Sequence, residues 1–414
     1  MNRLESWILW TYAGIILIWP VRWVVLKIVL GRTRFLTPES PKLEGTDLPL
    51  VSAVIPAKDE EATLDECLTA VRAQDYPNLE ILVVDDRSDD DTLAIARRHA
   101  DADERVRVLQ NDRLPPGWTG KTYVLHRHAP MARGEWLWFL DADTKHEPAF
   151  LRVMLRYAGE NDAALVSLLP ELKCETFWEQ VIQPLAGIVL MQSFPPRDIN
   201  DDASPLAFAN GQSILVTRRA YDAAGGHRAV RHRFVEDIGL AGKVKGLGLP
   251  IRLAIAKGLV SCRMYASIGQ LVRGWSRILY DALDRSPRRL ILKLLDPIVF
   301  CQTGHVALVA ALALTAVGRG GAFAYWLLGL SLLHHGLMYA VFRIIYNVSV
   351  PGSRYVATFP LGNILTDYIL IRAIRMCFTG KVAWRGTSYD ASLSRTGDDA
   401  ADADEAGELE AANR

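Results

Sequence analysis

The chain has 414 residues, with 47 basic side chains against 47 acidic ones and a formal net charge of zero. A balanced charge excludes nucleic acid as the main partner, and the length allows one large catalytic domain plus accessories. The five cysteines (Cys67, Cys174, Cys262, Cys301, Cys377) are scattered and odd in number, and they form no C-x-x-C pair, which excludes a disulfide or zinc framework.

In chain order, Trp7 to Leu30 is mostly apolar, with Arg22, Lys27, Arg32 and Arg34 toward its end. This predicts a membrane helix whose basic flank faces the cytoplasm. Pro20 and Arg22 stand where a small-residue cleavage site would be, so an uncleaved anchor is favoured over a signal peptide. A polar linker with Pro38 and Pro41 fills 36–48. Strands are expected at Leu50–Ile55, Leu79–Val84, Val106–Leu109, Glu135–Leu140 and Ala164–Leu168. Helical patterns lie at Glu61–Ala73 and Asp91–Ala100. Strands alternating with helices imply an α/β fold with a doubly wound, mostly parallel sheet.

Beyond about residue 285 the chain turns apolar again. Pro297–Val317 and Ala322–Phe342 read as a membrane hairpin joined by Gly318-Arg-Gly-Gly321, with Arg343 and Arg354 after it on the cytoplasmic side. A third stretch, Tyr355–Phe378, carries Asp367, Arg372 and Arg375. It reads as interfacial or re-entrant, with a full span as the alternative. The tail, Ala/Asp/Glu-rich from about Thr396, reads as disordered.

Several acid-bearing segments carry candidate chemistry. Pro56-Ala-Lys-Asp-Glu60 ends the first strand, placing Lys58 and Glu60 in a loop that could hold a nucleotide. Acids at a helix start are also what the helix dipole favours. The next strand ends in Asp85-Asp86, where a carboxylate could accept bonds from a base or ribose, while Asp89 to Asp91 suit an N-cap. Asp141-Ala-Asp143 follows the aromatic run Glu135-Trp-Leu-Trp-Phe-Leu140. Two hard oxygen ligands at a strand's end suit Mg²⁺ or Mn²⁺ bridging to phosphates. Pro116-Gly-Trp-Thr-Gly-Lys-Thr122 lacks Walker spacing but leaves Lys121 on a flexible glycine loop as a mobile cation for a diphosphate. Glu236-Asp237 opens an apolar helix, as a cap or as the general base for an acceptor hydroxyl. The amphipathic stretch Tyr265–Leu283 holds Gln270, Arg273 and Trp275; Arg273 and Trp275 suit a membrane interface, and Arg273 could also contact a diphosphate and Trp275 line an acceptor pocket.

The ordered set Pro56–Glu60, Val84-Asp-Asp86, Asp141-Ala-Asp143, Glu236-Asp237 and Gln270-x-x-Arg273, spanning about 50–285, resembles the signature of inverting, membrane-bound nucleotide-sugar glycosyltransferases with the GT-A fold. The Gly117-Trp-Thr-Gly-Lys121 loop and the Trp384–Tyr389 end are similar to the ceramide glucosyltransferase-like branch, and within it to bacterial hopene-associated glycosyltransferases. The resemblance implies that Asp85 and Asp86 hold the uridine side of a UDP-sugar. It implies that Asp141 and Asp143 hold the donor diphosphate through Mg²⁺ or Mn²⁺, and that Asp237 deprotonates the acceptor, so that attack inverts the anomeric carbon. Gln270, Arg273 and Trp275 would close over the diphosphate and acceptor. The family's last motif reads Gln-x-x-Arg-Trp, whereas Gly274 here separates Arg273 from Trp275. On a helix that insertion rotates the indole by about 100°.

The expected organisation is a transmembrane helix at 1–35, a linker at 36–48 and a GT-A catalytic domain at 49–263. An amphipathic region at 264–290, a membrane domain at 291–390 and an acidic tail at 391–414 follow. The expected activity is transfer of a single sugar to a lipid hydroxyl, on the cytoplasmic face of a bacterial inner membrane and without nucleic acid. A processive polysaccharide synthase and a catalytically silent membrane scaffold stay open as alternatives.

Overall fold

The computed structural model describes residues 1–384 and 387–390. The tail at 391–414, with its expected disorder, lies outside the described residues, as do Arg385 and Gly386 of the Trp384–Tyr389 stretch. The chain divides into two units. One holds Arg34–Lys173, Phe194–Met264 and the chain from Gly380; the other holds Met1–Thr33, Cys174–Ser193 and Tyr265–Thr379.

The first unit is built on an eight-stranded sheet. Across it the strands run Phe35–Leu36, Ile251–Ala256, Leu165–Leu169, Ile214–Thr217, Trp136–Phe139, Val51–Ala57, Leu79–Asp86 and Val106–Asn111. The sheet is mostly parallel, as expected. Ile214–Thr217 is the exception, antiparallel to both of its neighbours. The aromatic run has neighbours on both sides and both of its faces covered, which is why it reads as continuously apolar and not alternating. Trp138 is fully buried, with its indole donating to Ser213 Oγ at 3.1 Å and its ring stacked on Phe150.

The chain moves outward from Val51–Ala57 through two strands, then returns to its other side at Trp136–Phe139. At such a reversal the loops after adjacent strands diverge and leave a crevice at their carboxyl ends. Pro56 fits there because pairing toward Trp136–Phe139 ends at Val54, so no neighbour on that side needs its missing N–H.

The second unit is helical. Among the described residues three helices are long and apolar enough to cross a membrane: Arg3–Arg32, Pro287–Ala316 and Gly321–Ser349. The first is bent at Leu17, since Pro20 in the next turn has no N–H to return to Ile16. The hairpin helices run longer than their apolar cores suggested, and Gly318, Gly320 and Gly321 all take positive φ at the turn. Between Pro287–Pro297 and Thr303–Ala316 the backbone widens into a π-turn at Ile298–Gln302, directly after Pro297. A helix absent from the sequence expectations, Phe177–Met191, belongs to this unit. Its signal was legible in the Thr176 and Glu179 capping box.

Phe359–Thr379 turns an apolar face outward and buries polar residues beside Phe359, Ile369 and Leu370. Leu361, Ile364, Tyr368 and Ile371 are exposed along one face, while Asn363 and Thr366 are buried. The long apolar helices likewise leave Trp7, Trp10, Val306, Val309, Trp326 and Leu332 uncovered, as side chains meant for lipid would be.

Candidate active site

The loops after Val51–Ala57 and Leu79–Asp86 interlock. Asp59 N donates to Ser88 Oγ at 3.1 Å, Glu60 N to Thr92 Oγ1 at 2.7 Å and Glu61 N to Asp90 Oδ2 at 3.1 Å. Asp89 N returns a bond to Asp59 Oδ1 at 3.0 Å. The Lys58 ammonium donates to the Arg87 carbonyl at 2.9 Å, and Glu60 Oε2 accepts from Thr63 Oγ1 at 2.9 Å. Asp59 and Arg87 hold left-handed backbone conformations, φ 53° and 55°, at the two crossing points. Asp90 ties Thr92 N and Oγ1, so the acidic run serves the loop and the helix start that follows it.

This clamp separates the two acids at the end of the second strand. Asp86 is occupied: Arg87 Nε and Nη2 reach its two oxygens at 2.9 and 3.2 Å, and Asn111 Nδ2 reaches Oδ1 at 2.7 Å. Asp85 is equally buried, at 4% exposure, but its Oδ1 has no hydrogen-bond partner. Burial raises its pKa, against hydrogen bonds from Ser88.

Asp141 and Asp143 lie just past Trp136–Phe139. Thr144 Oγ1 donates to the Asp141 carbonyl at 2.7 Å and fixes the turn. Asp143 is half-buried, and its charge, after burial itself, helps push the Cys67 thiol up. Lys121 departs from expectation. Gly120 and Lys121 are not a flexible loop but the first turn of the helix Gly120–His128, capped by Thr119 and docked through Thr122 Oγ1 on the Arg231 carbonyl at 3.1 Å. That turn places Lys121 Nζ 2.7 Å from Asp141 Oδ1 and 2.6 Å from Glu236 Oε1. Burial alone would lower its pKa; the carboxylates of Asp141, Glu236 and Asp237 outweigh that and keep the ammonium charged.

Glu236 and Asp237 open the helix Glu236–Gly246. Asp237 Oδ1 accepts from Ile238 N at 2.8 Å and Oδ2 from Gly211 N at 2.6 Å. It keeps partial access to solvent but is surrounded by enough protein to lose most of its hydration. Burial and the neighbouring Glu236 raise its pKa to about 7, against Lys121 and the two N–H bonds. Gly211 was missed from sequence, where Asn210-Gly211 reads only as a turn. Glycine leaves room there: a Cβ would sit 2.9 Å from Lys121 Nζ and 3.2 Å from Asp237 Oδ2, so a side chain would push the ammonium aside.

Among the described residues no three His, Cys, Asp or Glu side chains gather into a metal cage. Two carboxylates one residue apart suit a hard divalent cation that completes its shell with a ligand's phosphates and water, so the residues fit Mg²⁺ or Mn²⁺ in that shared mode.

Gln270, Arg273 and Trp275 belong to the helical unit, on the helix Ile268–Ala282. Gln270 Oε1 accepts from Ala266 N at 3.0 Å within the helix start, and Arg273 is exposed. Trp275 is 4% exposed, its indole donating to Gln183 Oε1 at 2.5 Å and packing beside Gly187. Gly274 is where the Tyr265 phenol lies; a Cβ there would overlap it.

A parallel sheet with acid-bearing loops at its switch point defines a nucleotide-binding α/β enzyme of the GT-A type. Residues 52–225 match the sequence profile of Glycosyl transferase family 2, so this segment is similar to that family, and the chain is a glycosyltransferase. It is 25% identical over 288 residues to a 4,4'-diaponeurosporenoate glycosyltransferase of Staphylococcus haemolyticus, covering 67% of this chain and 74% of that protein. The same-named protein of Staphylococcus aureus is 25% identical over 270 residues, 64% of this chain and 69% of its own. Among solved structures, a mannosyltransferase of Pyrobaculum calidifontis, in complex with GDP-mannose and Mn²⁺, shares the fold. Its TM-score is 0.53 at 16% identity, over 91% of this chain and 98% of that one.

Proposed function

We propose that the protein transfers a single sugar from a nucleotide-sugar donor, a UDP-sugar in our reading, to a lipid hydroxyl with inversion and with Mg²⁺ or Mn²⁺. The observation that carries this reading is the convergence of Asp141, Lys121, Glu236 and Asp237 at the crevice end of the sheet. Asp85, with its open oxygen, receives the base or ribose of the nucleotide. Asp141 and Asp143 hold the divalent ion, which when bound neutralises charge on the departing diphosphate. Lys121 stands beside the same diphosphate as a fixed cation. Asp237, raised toward neutrality, takes the proton from the acceptor hydroxyl. The acceptor oxygen then bonds to the anomeric carbon as the bond from that carbon to the phosphate oxygen breaks, and the electron pair leaves with the nucleoside diphosphate. Glu236 keeps Lys121 in register and is a positioning residue.

A lipid acceptor is supported by the long apolar helices and by the lipid-modifying staphylococcal homologues. The single insertion at Gly274 and the few candidate spans favour one transfer over processive synthesis. The Mn²⁺ complex of the mannosyltransferase that shares the fold supports the choice of metal. The basic residues after the first span and after the hairpin support a bacterial inner-membrane protein with its catalytic region cytoplasmic. The hopene-associated branch remains our reading of the Gly117–Lys121 and Trp384–Tyr389 segments.

The test is to incubate purified enzyme in host-lipid vesicles with a panel of nucleotide sugars and Mn²⁺ or Mg²⁺, then analyse the lipid extract by mass spectrometry. A hexose-sized mass gain on one lipid is expected. Donor binding without a lipid product would favour the polymer synthase, and absence of both would favour the silent scaffold.

A further inference from the structure

The helical unit contains a seam of polar groups that its packing does not satisfy. At the π-turn after Pro297, Gln302 Nε2 donates to Asp367 Oδ2 at 2.6 Å, joining the Pro287–Ala316 helix to Phe359–Thr379. Asp367 Oδ1 is buried without a partner. One turn back on the same face, Asn363 is 4% exposed and its Nδ2 has no partner. One turn beyond Gln302, His305 Nδ1 meets His335 Nε2 at 2.9 Å, while His305 Nε2 is buried without a partner. The Phe359 ring, a turn before Asn363, lies 6.1 Å from the His305 ring and so closes the same seam.

Three open valences on one seam are costly. Each buried polar atom left unpaired costs about 1–3 kcal/mol, and hydrocarbon around the bundle offers no water to relieve it. A π-turn adds a second, independent sign, because these widenings recur at functional sites. Depth is informative as well. Gln302 and His305 stand 14 and 11 residues before Ala316, about 17–21 Å from the hairpin turn at 1.5 Å per residue. That is near the middle of a hydrocarbon core about 30 Å thick, where polar side chains mark binding sites or pathways.

The three atoms are complementary to one kind of group. A carboxyl oxygen accepts, an amide nitrogen donates, and an imidazole nitrogen does either according to its tautomer. A hydroxyl, one donor with two lone pairs, is of the kind that can pair with each of them. We infer that the seam formed by Gln302, His305, Asn363 and Asp367 binds the hydroxyl end of a long-chain lipid inside the membrane unit. The inference rests on the lipid-hydroxyl acceptor proposed above and gives that acceptor a residence in the helical unit. The surrounding helices suit the chain of such a lipid. Leu361, Ile364, Tyr368 and Ile371 are exposed along the outer face of the seam's own helix, and Ile298 and Val299 are exposed on its partner.

The test uses the full chain in lipid nanodiscs, without sugar donor. Two photoreactive probes are compared: a diazirine-bearing hexadecanol and the same diazirine chain ending in a methyl group. The alcohol is expected to label peptides covering 296–306 and 359–372, to be competed by unlabelled hexadecanol, and to exceed the hydrocarbon by about tenfold, the equivalent of about 1.4 kcal/mol. Asn363→Leu is expected to lose that preference while keeping or raising the melting temperature, and Asp367→Asn to weaken it. Equal labelling by the hydrocarbon would mean an apolar crevice only and overturns the site. Retained preference in Asn363→Leu overturns it too, as would labelling confined to other segments; the polar groups would then be interhelical ties or water ligands. Because no donor is present, the two readings fail separately. Alcohol labelling with no sugar transfer to any lipid would remove the acceptor reading and keep the site. Transfer by Asn363→Leu with an unchanged acceptor KM would remove the site and keep the reading.

Discussion

Lys121 Nζ lies 2.6 Å from Glu236 Oε1 and so joins the start of one helix to the start of another, the one that carries Asp237. The same ammonium holds Asp141 at 2.7 Å. One cation therefore links the acid assigned to the donor with Glu236, the chain neighbour of the acid assigned to the acceptor.

Removing that cation should act on the base as well as on the donor. Lys121 is one of the influences that lower the Asp237 pKa. Asp237 works deprotonated, so a Lys121→Met enzyme must hold its proton to higher pH. The acid limb of kcat/KM should move upward, and activity should fall more at pH 6.5 than at pH 8.5. Profiles of wild type and variant check this; an acid limb that stays in place or moves lower would exclude an influence of Lys121 on the base.

For the wild type, an Asp237 pKa raised to about 7 sets the sign. Activity should fall as pH drops through neutrality, and not near pH 4 where an ordinary carboxylate titrates. Asp237→Asn should lower kcat by about 10²–10⁴-fold, the usual worth of a positioned base, with donor affinity by calorimetry nearly unchanged. Wild-type turnover by this variant would refute the assignment.

Asp143→Asn should remove one of the two oxygen ligands that a divalent ion can take from the protein. We expect transfer to be abolished, with the protein still folded by circular dichroism. Mn²⁺ binding, followed by electron paramagnetic resonance in the presence of nucleoside diphosphate, should weaken by at least about tenfold, since a metal bound by few carboxylates depends on each of them. Unchanged Mn²⁺ affinity would place the ion elsewhere.

Gly274 gives a prediction about stability. Its Cβ position is filled by the Tyr265 phenol, so Gly274→Ala forces the ring aside. The cost should be about 1–3 kcal/mol, typical of overpacking. In a Tyr265→Ala background the same substitution should cost much less. Additive thermal shifts in the double mutant would mean that the two positions do not meet.

Much of this was legible in the chain. The strand positions followed from apolar runs bounded by Pro56, Asp85 and Asp141, although two of the strands run a residue or two further, through Pro56 to Ala57 and through the buried Asp85 to Asp86. The long apolar spans followed from length and hydropathy alone. The helix Phe177–Met191 has only its capping box as a local signal, and Ile214–Thr217 reads as a strand after a turn but with no sign of its antiparallel direction, since strand direction is set by which neighbours close the sheet.

Sequence by itself determined which residues could do chemistry and which segments could lie in lipid, for both depend on residue type and short spacing. Only the tertiary structure decided which of them are available. It left Asp85 with an open oxygen while Arg87 and Asn111 occupied Asp86. It turned Lys121 from a loop cation into a fixed bridge, and it brought Gly211 N to Asp237 across 26 positions of sequence. It also set Asp367 of one helix against Gln302 of another, and Phe359 against His305. A hydrogen bond or ion pair depends on distances of about 3 Å between atoms far apart in the chain, and packing alone fixes those.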